Sequence, residues 1–216
     1  MVTNKVKTYA LGFQNVLEPL GQLGHEVIWA ADFSQFVADK SVIPCQIEQI
    51  DINTNPFNKS NVTAYKQILD IIERNDIEAV MCSTPIGGAL ARLAAKKKDI
   101  KPVLYEAHGF LFFKGAPLIN QTVYKWEEKL LAHYTDILIT ITNEDYAAAQ
   151  KFKLRSGERP YLVHGAGVKV DVRVEINRTE KRRSVGVPED AFVIVSAGEL
   201  NKNKNTEVVV RALKDV

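Results

Sequence analysis

The sequence predicts an α/β protein in which helices flank a parallel sheet. Three observations predict it. Short β-rich runs alternate with segments of helical periodicity along most of the chain. One run, Asp136-Ile-Leu-Ile-Thr-Ile141, is almost continuously apolar, as strands covered on both faces are. The helix expected over 85–97 carries a small-residue face of Gly87, Gly88, Ala89, Ala91, Ala94 and Ala95.

The elements follow in order. Residues 5–20 read as an opening helix, with Tyr9, Leu11, Phe13, Val16 and Leu17 as its apolar face. Doubly wound domains normally open with a strand, but only four residues precede Lys5. The first strand is therefore expected to be missing, together with the turn that should follow it. Strands are expected at 26–30, after Gly24-His25, and at 47–51. Ile68, Leu69, Ile71 and Ile72 mark a helix over 65–73, and 77–82 is a further strand. After the helix at 85–97 come a strand at 101–105, a loop at 106–118 and a strong helix at 120–133. The apolar strand at 136–141 leads to a helix capped by Asn143, with Asp145 and Tyr146 in its first turn. A strand at 161–164 ends in Gly165-Ala-Gly167-Val168.

Residues 169–185 change character. Arg173, Glu175, Arg178, Glu180, Lys181, Arg182 and Arg183 crowd together, which reads as a linker or an exposed helix. Beyond it, 192–196 is a new apolar strand, Gly198 begins a polar loop, and 206–213 begins a helix. This gives a first domain over 1–170, a linker over 171–190, and over 191–216 the first strand–loop–helix of a truncated second domain.

Composition narrows the function classes. The 216 residues are 46% hydrophobic and 25% charged, ordinary globular values, and the formal net charge is only +2. Nothing there calls for a nucleic-acid partner, which would show a concentrated basic face. The opening residues hold no apolar signal core, and no run approaches the roughly 18 apolar residues that a membrane span needs. Cys45 and Cys82 are far apart and make no metal or disulfide motif. Cys82, in an apolar run, reads as a buried small hydrophobe. A cytoplasmic location is expected.

Ligands of parallel sheets bind beyond the carboxyl ends of the strands. That rule selects the loops at 83–88, 106–118, 142–145 and 164–168. The second carries Glu106, His108, Gly109, Phe110, Phe112, Phe113 and Lys114. His108 can donate or accept a proton near neutral pH, and Gly109 lets a group approach the backbone. The phenylalanines either form a platform for an apolar or sugar-face ligand or pack under the following helix. Gly87 and Gly88 open a helix, where free N–H groups suit an anion or a sugar oxygen. Tight helix–sheet packing explains them equally well.

Tyr105-Glu-Ala-His-Gly-Phe-Leu-Phe-Phe-Lys-Gly-Ala-Pro117 resembles a block of family 4 glycosyltransferases from bacterial capsular and exopolysaccharide clusters. Ser83-Thr-Pro-Ile-Gly-Gly88 with Arg92-Leu-Ala-Ala95, and 134–141 with Asn143-Glu-Asp-Tyr146, are similar to further blocks of that family. So are Gly165-Ala-Gly167-Val168 and 196–205. The resemblance runs over about residues 9–216, in family order.

The resemblance implies a GT-B fold of two Rossmann-like domains, this chain being the N-terminal half and the start of the other. The N-terminal domain holds the acceptor, and the second holds the nucleotide-sugar. The implied reaction transfers a hexosyl unit with retention and without a metal or other cofactor. The donor is a nucleotide-sugar, a UDP-sugar in the first instance, and the acceptor a lipid-linked sugar or oligosaccharide. By the same resemblance, His108 is the catalytic residue, orienting a donor-sugar hydroxyl and stabilising the transition state rather than acting as a nucleophile. Substrate contacts fall to Thr84, Gly87, Gly88, Glu106, Gly109, Phe110, Phe112, Lys114, Asn143, Gly165 and Gly167. Gly198, Lys202 and Lys204 meet the donor diphosphate. Lys202 substitutes for an arginine that most relatives carry at the position of Glu199. No protein base is required, because the departing phosphate takes the acceptor proton.

The family's paired glutamates for the donor lie beyond this sequence, so the 216 residues alone are expected to be inactive. Peripheral contact with the inner membrane is expected through Arg92, Lys96, Lys97 and Lys98 and the phenylalanine loop. Two other readings compete. One is a non-catalytic acceptor-binding module that needs a separate donor-binding subunit. The other is a GT-B sugar-nucleotide epimerase, which needs cleft carboxylates of which only Glu106 is a candidate.

Overall fold

The computed structural model describes residues 1–9, 11–165, 175–198, 200–201 and 204–213, without the side chains of 11 and 12. The chain divides into two compact units, Met1–Lys169 and Val170–Val216. No helix among the described residues is long and apolar enough to cross a membrane.

The first unit holds a seven-stranded parallel sheet. Its strands are β1 (Val2–Lys5), β2 (Ile28–Asp32), β3 (Gln46–Gln49), β4 (Val80–Ser83), β5 (Val103–Ala107), β6 (Ile137–Thr140) and β7 (Tyr161–Leu162). The spatial order is β3-β2-β1-β4-β5-β6-β7, and every neighbouring pair is parallel. The order reverses between β1 and β4, and the loops beyond their carboxyl ends diverge there to leave a crevice. The helices are α1 (Leu11–Gln22), α2 (Ser60–Arg74), α3 (Pro85–Lys97), α4 (Lys125–Ala132) and α5 (Asn143–Ala149). A π-helical turn, Asn120–Tyr124, runs directly into α4.

Side-chain alternation along the strands feeds two cores. Strand β2 sends Ala30 into the larger one, with Ile68, Ile71 and Ile72 of α2 and Ala91, Ala94 and Ala95 of α3. It sends Trp29 and Ala31 into the other, with Val6, Leu17 and Phe33. The small-residue face of α3 packs against β1, β4 and β5, which decides for packing where the sequence left two readings open. Cys82 is fully buried in the larger core, and burial pushes its thiol up to about 12.

Two expectations for the start of the chain fail. The first strand is not missing. Val2–Lys5 occupies the centre of the sheet between β2 and β4, with Val2 opposite both Ala30 and Cys82. The opening helix accordingly starts at Leu11, not at residue 5. Four residues suffice because both neighbouring strands supply pairing partners, and only Val2 and Thr3 need to be buried.

Among its described residues the second unit contains two short helices, α6 (Arg178–Ser184) and α7 (Glu207–Ala212). The part of the charged stretch over Arg178–Ser184 is thus an exposed helix, capped by the Asn177 side chain on the amides of Thr179 and Glu180. The expected strand at 192–196 is absent, and Phe192 and Val195 are 89% and 84% exposed. An apolar run becomes a strand only when another strand satisfies its backbone groups, and none among the described residues of this unit does so.

Candidate functional site

The carboxyl ends of β1, β4 and β5 enclose a cavity of about 240 Å³. Asn4 comes from β1, Pro85 and Ile86 from the start of α3, and Gly109 and Phe110 from the loop after β5. Tyr124, Glu127 and Glu128 close it from the helical segment that follows. Their spacing puts the three on one helical face. The cavity lies at the reversal of strand order, where sheet topology favours ligand binding. It falls below the usual range of ligand pockets, roughly 300–1,000 Å³, and is on the scale of one sugar ring.

His108 is the first residue beyond β5, and Glu106 is the second-last residue within it. His108 Nε2 lies 3.4 Å from Glu106 Oε1, with the imidazole 43% exposed and the carboxylate 17% exposed. The Glu106 contact raises the imidazole pKa above its ordinary value, partial burial opposes the rise, and the Glu106 charge adds to it. The pair holds an oriented imidazole, more basic than a free one, at the rim of the strand ends. Gly109 follows with φ +122°, a left-handed conformation that side chains disfavour, and nothing lies where its Cβ would be. Turn geometry, rather than close approach of a neighbour, accounts for this glycine.

The loop after β5 is held by the first turn of α5. Asp145, buried at 6% exposure, accepts from the Phe110 amide at 3.1 Å and from Thr142 Oγ1 at 2.6 Å. Glu144 Oε1 accepts from the Lys114 amide at 2.7 Å. The cap of α5 is Thr142, whose hydroxyl accepts from the Asp145 amide. Asn143, expected as the cap, is the exposed first residue of the helix. Thr142 takes the role because its backbone is extended while that of Asn143 is already helical.

Several predicted contacts turn out to be structural. Phe110 and Phe112 do not form an open platform. They stack at 4.8 Å, lean on Phe152 and are 6% and 8% exposed, although Phe110 also borders the cavity. Phe113 is the exposed ring of the three. The Gly87 and Gly88 amides are not free: they donate to Asn4 Oδ1 at 2.7 Å and to the Thr84 carbonyl at 2.8 Å. A Cβ on Gly88 would fall 2.5 Å from the Tyr105 ring, and one on Gly87 2.9 Å from Thr84 Oγ1. Close packing therefore accounts for both glycines. Thr84, just before α3, holds φ +69°, an uncommon conformation for a threonine.

Arg92 does not face a membrane. It is 1% exposed, donates to Glu128 Oε2 at 2.9 Å and to the Gly88 carbonyl at 2.9 Å, and stacks 3.8 Å over the Tyr105 ring. Tyr105 OH donates to Glu128 Oε1 at 3.1 Å, which completes a buried cluster behind the cavity wall. Lys96 donates to Tyr134 OH at 2.8 Å, and Lys98 pairs with Glu73.

In the same unit, Gly165 follows β7 with φ +79°. Gly167 and Lys202 lie outside the described residues. In the second unit, Gly198 has open space around it and Lys204 is exposed. Sequence reasoning missed Asn4, Tyr105, Tyr124, Glu127, Glu128 and Asp145. The 124/127/128 spacing signals a shared helical face, whereas the pairing of residues 92 and 128 leaves no local trace.

Comparison with known proteins bears on this geometry. Residues 13–166 match the model of the family described as Glycosyltransferase Family 4. A Bacillus subtilis (strain 168) protein provisionally named glycosyltransferase EpsD is 39% identical over 199 residues, which are 88% of this chain and 50% of that protein. The chain thus spans about half the length of this curated relative. A sucrose-phosphate synthase structure from Thermosynechococcus elongatus is similar with a TM-score of 0.54 and 11% identity, covering 78% of this chain and 90% of that one. At that identity the likeness speaks for the Rossmann-like fold alone.

Proposed function

The chain belongs to glycosyltransferase family 4, and on that premise we propose that it forms the acceptor side of a transferase for surface-polysaccharide synthesis. A hexosyl unit moves from a nucleotide-sugar, in the first instance a UDP-sugar, to a lipid-linked or glycan acceptor. The reaction retains anomeric configuration and uses no metal. The observation that carries this reading is the cavity at the reversal of strand order, next to the loop that holds Glu106 and His108.

In this reading the cavity seats the acceptor ring. Ile86, Phe110 and Tyr124 offer apolar surface to its carbon face, while Asn4 and Glu127 meet its hydroxyls. His108, held by Glu106, hydrogen-bonds a donor-sugar hydroxyl and so orients the sugar in the transition state as the diphosphate departs. The acceptor proton leaves with the diphosphate. Asp145 and Glu144 act on the loop rather than on substrate. Gly198, Lys202 and Lys204 are the residues we assign to the donor diphosphate, where a fixed cation takes the place of the metal of other transferases. The same transferase works at the cytoplasmic face of the inner membrane, where its lipid-linked acceptor resides.

The test is release of nucleoside diphosphate from a panel of nucleotide-sugars by the intact protein that carries this sequence, with and without EDTA. One donor is expected to be consumed, with EDTA having no effect. Turnover of no nucleotide-sugar would contradict the reading, and EDTA-sensitive turnover would remove its metal-independent part.

A further inference from the structure

The two carboxylates of the cavity are not equivalent. Glu128 is spoken for: Arg92 balances its charge at 2.9 Å and the Tyr105 hydroxyl occupies its other oxygen. Glu127, one residue earlier on α4, is half-buried and has neither a hydrogen-bond nor an ion-pair partner among the described residues. Burial raises its pKa, the neighbouring Glu128 charge raises it further, and the Arg92 charge behind the wall opposes the rise. Among the described residues no Lys, Arg or His lines the cavity, and Arg92, which acts on Glu127 from behind the wall, is already paired with Glu128. The site therefore presents one unbalanced negative charge to whatever enters it.

We propose that Glu127 sets the charge of the acceptor: the cavity takes an uncharged or amino-bearing sugar ring and turns away one that carries a carboxylate or a phosphate. This rests on the assignment of the cavity to the acceptor. A neutral ring gives the free carboxylate of Glu127 hydroxyl hydrogen bonds, and an ammonium substituent gives it a counter-charge. An acidic ring brings a second anion into a partly desolvated space without a cation to balance it.

The probes are methyl glucoside and methyl glucuronide, which differ in whether C6 is a hydroxymethyl or a carboxylate. Each is titrated into the 216-residue chain at pH 7, with the amide resonances of Gly109, Leu111 and Glu127 followed by NMR. Methyl glucoside is expected to move these resonances. Methyl glucuronide should bind at least about tenfold more weakly, as like charges across an interface do. In Glu127→Gln, an isosteric change that leaves the Arg92–Glu128 pair in place, the gap should close to within about threefold. Equal binding of the two probes to the unsubstituted chain overturns the proposal while the acceptor assignment stands. A gap that survives in Glu127→Gln overturns it as well. If neither probe moves these amides, the proposal and the acceptor assignment fall together.

Discussion

Glu106 Oε1 faces His108 Nε2 at 3.4 Å where the backbone leaves the end of β5. The alternation of a strand would send residues 106 and 108 to the same side, and the carboxylate therefore reaches the ring. The contact raises the pKa of His108, so its NMR titration midpoint is expected above the ordinary histidine value of about 6.5. Glu106→Gln should bring it back down. The stability consequence has a definite sign. A raised folded-state pKa contributes stability that is complete below about pH 6.5 and is lost as pH rises through the folded value. Urea midpoints across this window should fall with rising pH in the parent chain and fall less in Glu106→Gln.

The packing of Gly88 on Tyr105 gives a second prediction. A methyl group at residue 88 would sit 2.5 Å from a ring that is 2% exposed and bonded through its hydroxyl to Glu128. Gly88→Ala is expected to cost about 1–3 kcal/mol in denaturant titration, as overpacking does. If residue 88 instead served an anion through a free amide, the substitution would leave stability unchanged.

Removing Arg92 leaves Glu128 without its buried counter-charge. Arg92→Met should destabilise the chain by about 3 kcal/mol, the lower end for broken buried pairs because Glu128 is 12% exposed on the cavity side. Adding Glu128→Gln should restore part of the loss in a double-mutant cycle. A cost for Arg92→Met within experimental error would show that the pair is not formed in solution.

These interactions mark what the sequence makes legible and what it does not. Six strands announce themselves through short β-rich runs bounded by loops, five of them apolar and the one at β3 polar, and the small residues of α3 stand out without saying whether they pack or bind. Strand β1 does not. Val2-Thr3-Asn4-Lys5 has little apolar pattern, and it is a strand because β2 and β4 flank it. The reverse holds for 192–196, which is apolar enough for a strand but has no strand beside it among the described residues. Within the site, the loop after β5 stands out by composition, and with it His108 and Glu106. The roles of Phe110 and Phe112 depend on Phe152. Glu128 depends on Arg92, 36 residues away. Contacts of that range leave no periodic signature in a single sequence.

Asp145 offers a test of how the loop is held. Its buried carboxylate accepts from the Phe110 amide and the Thr142 hydroxyl. Asp145→Ala leaves both donors unpaired and is expected to cost about 1–3 kcal/mol. Hydrogen exchange at the Phe110 amide should accelerate more than exchange at amides of β6. Equal acceleration at both would mean that the loop has no local anchor at α5.

The most direct measurement is donor turnover by the intact protein carrying this sequence, before and after His108→Ala. The imidazole is 43% exposed, so its removal should leave the thermal midpoint close to that of the parent. Turnover should fall by about 10²–10³-fold, the usual loss when one stabilising donor is removed from a transition state. A His108→Ala protein that turns over its nucleotide-sugar at the parental rate would contradict the placement of the reaction at the end of β5.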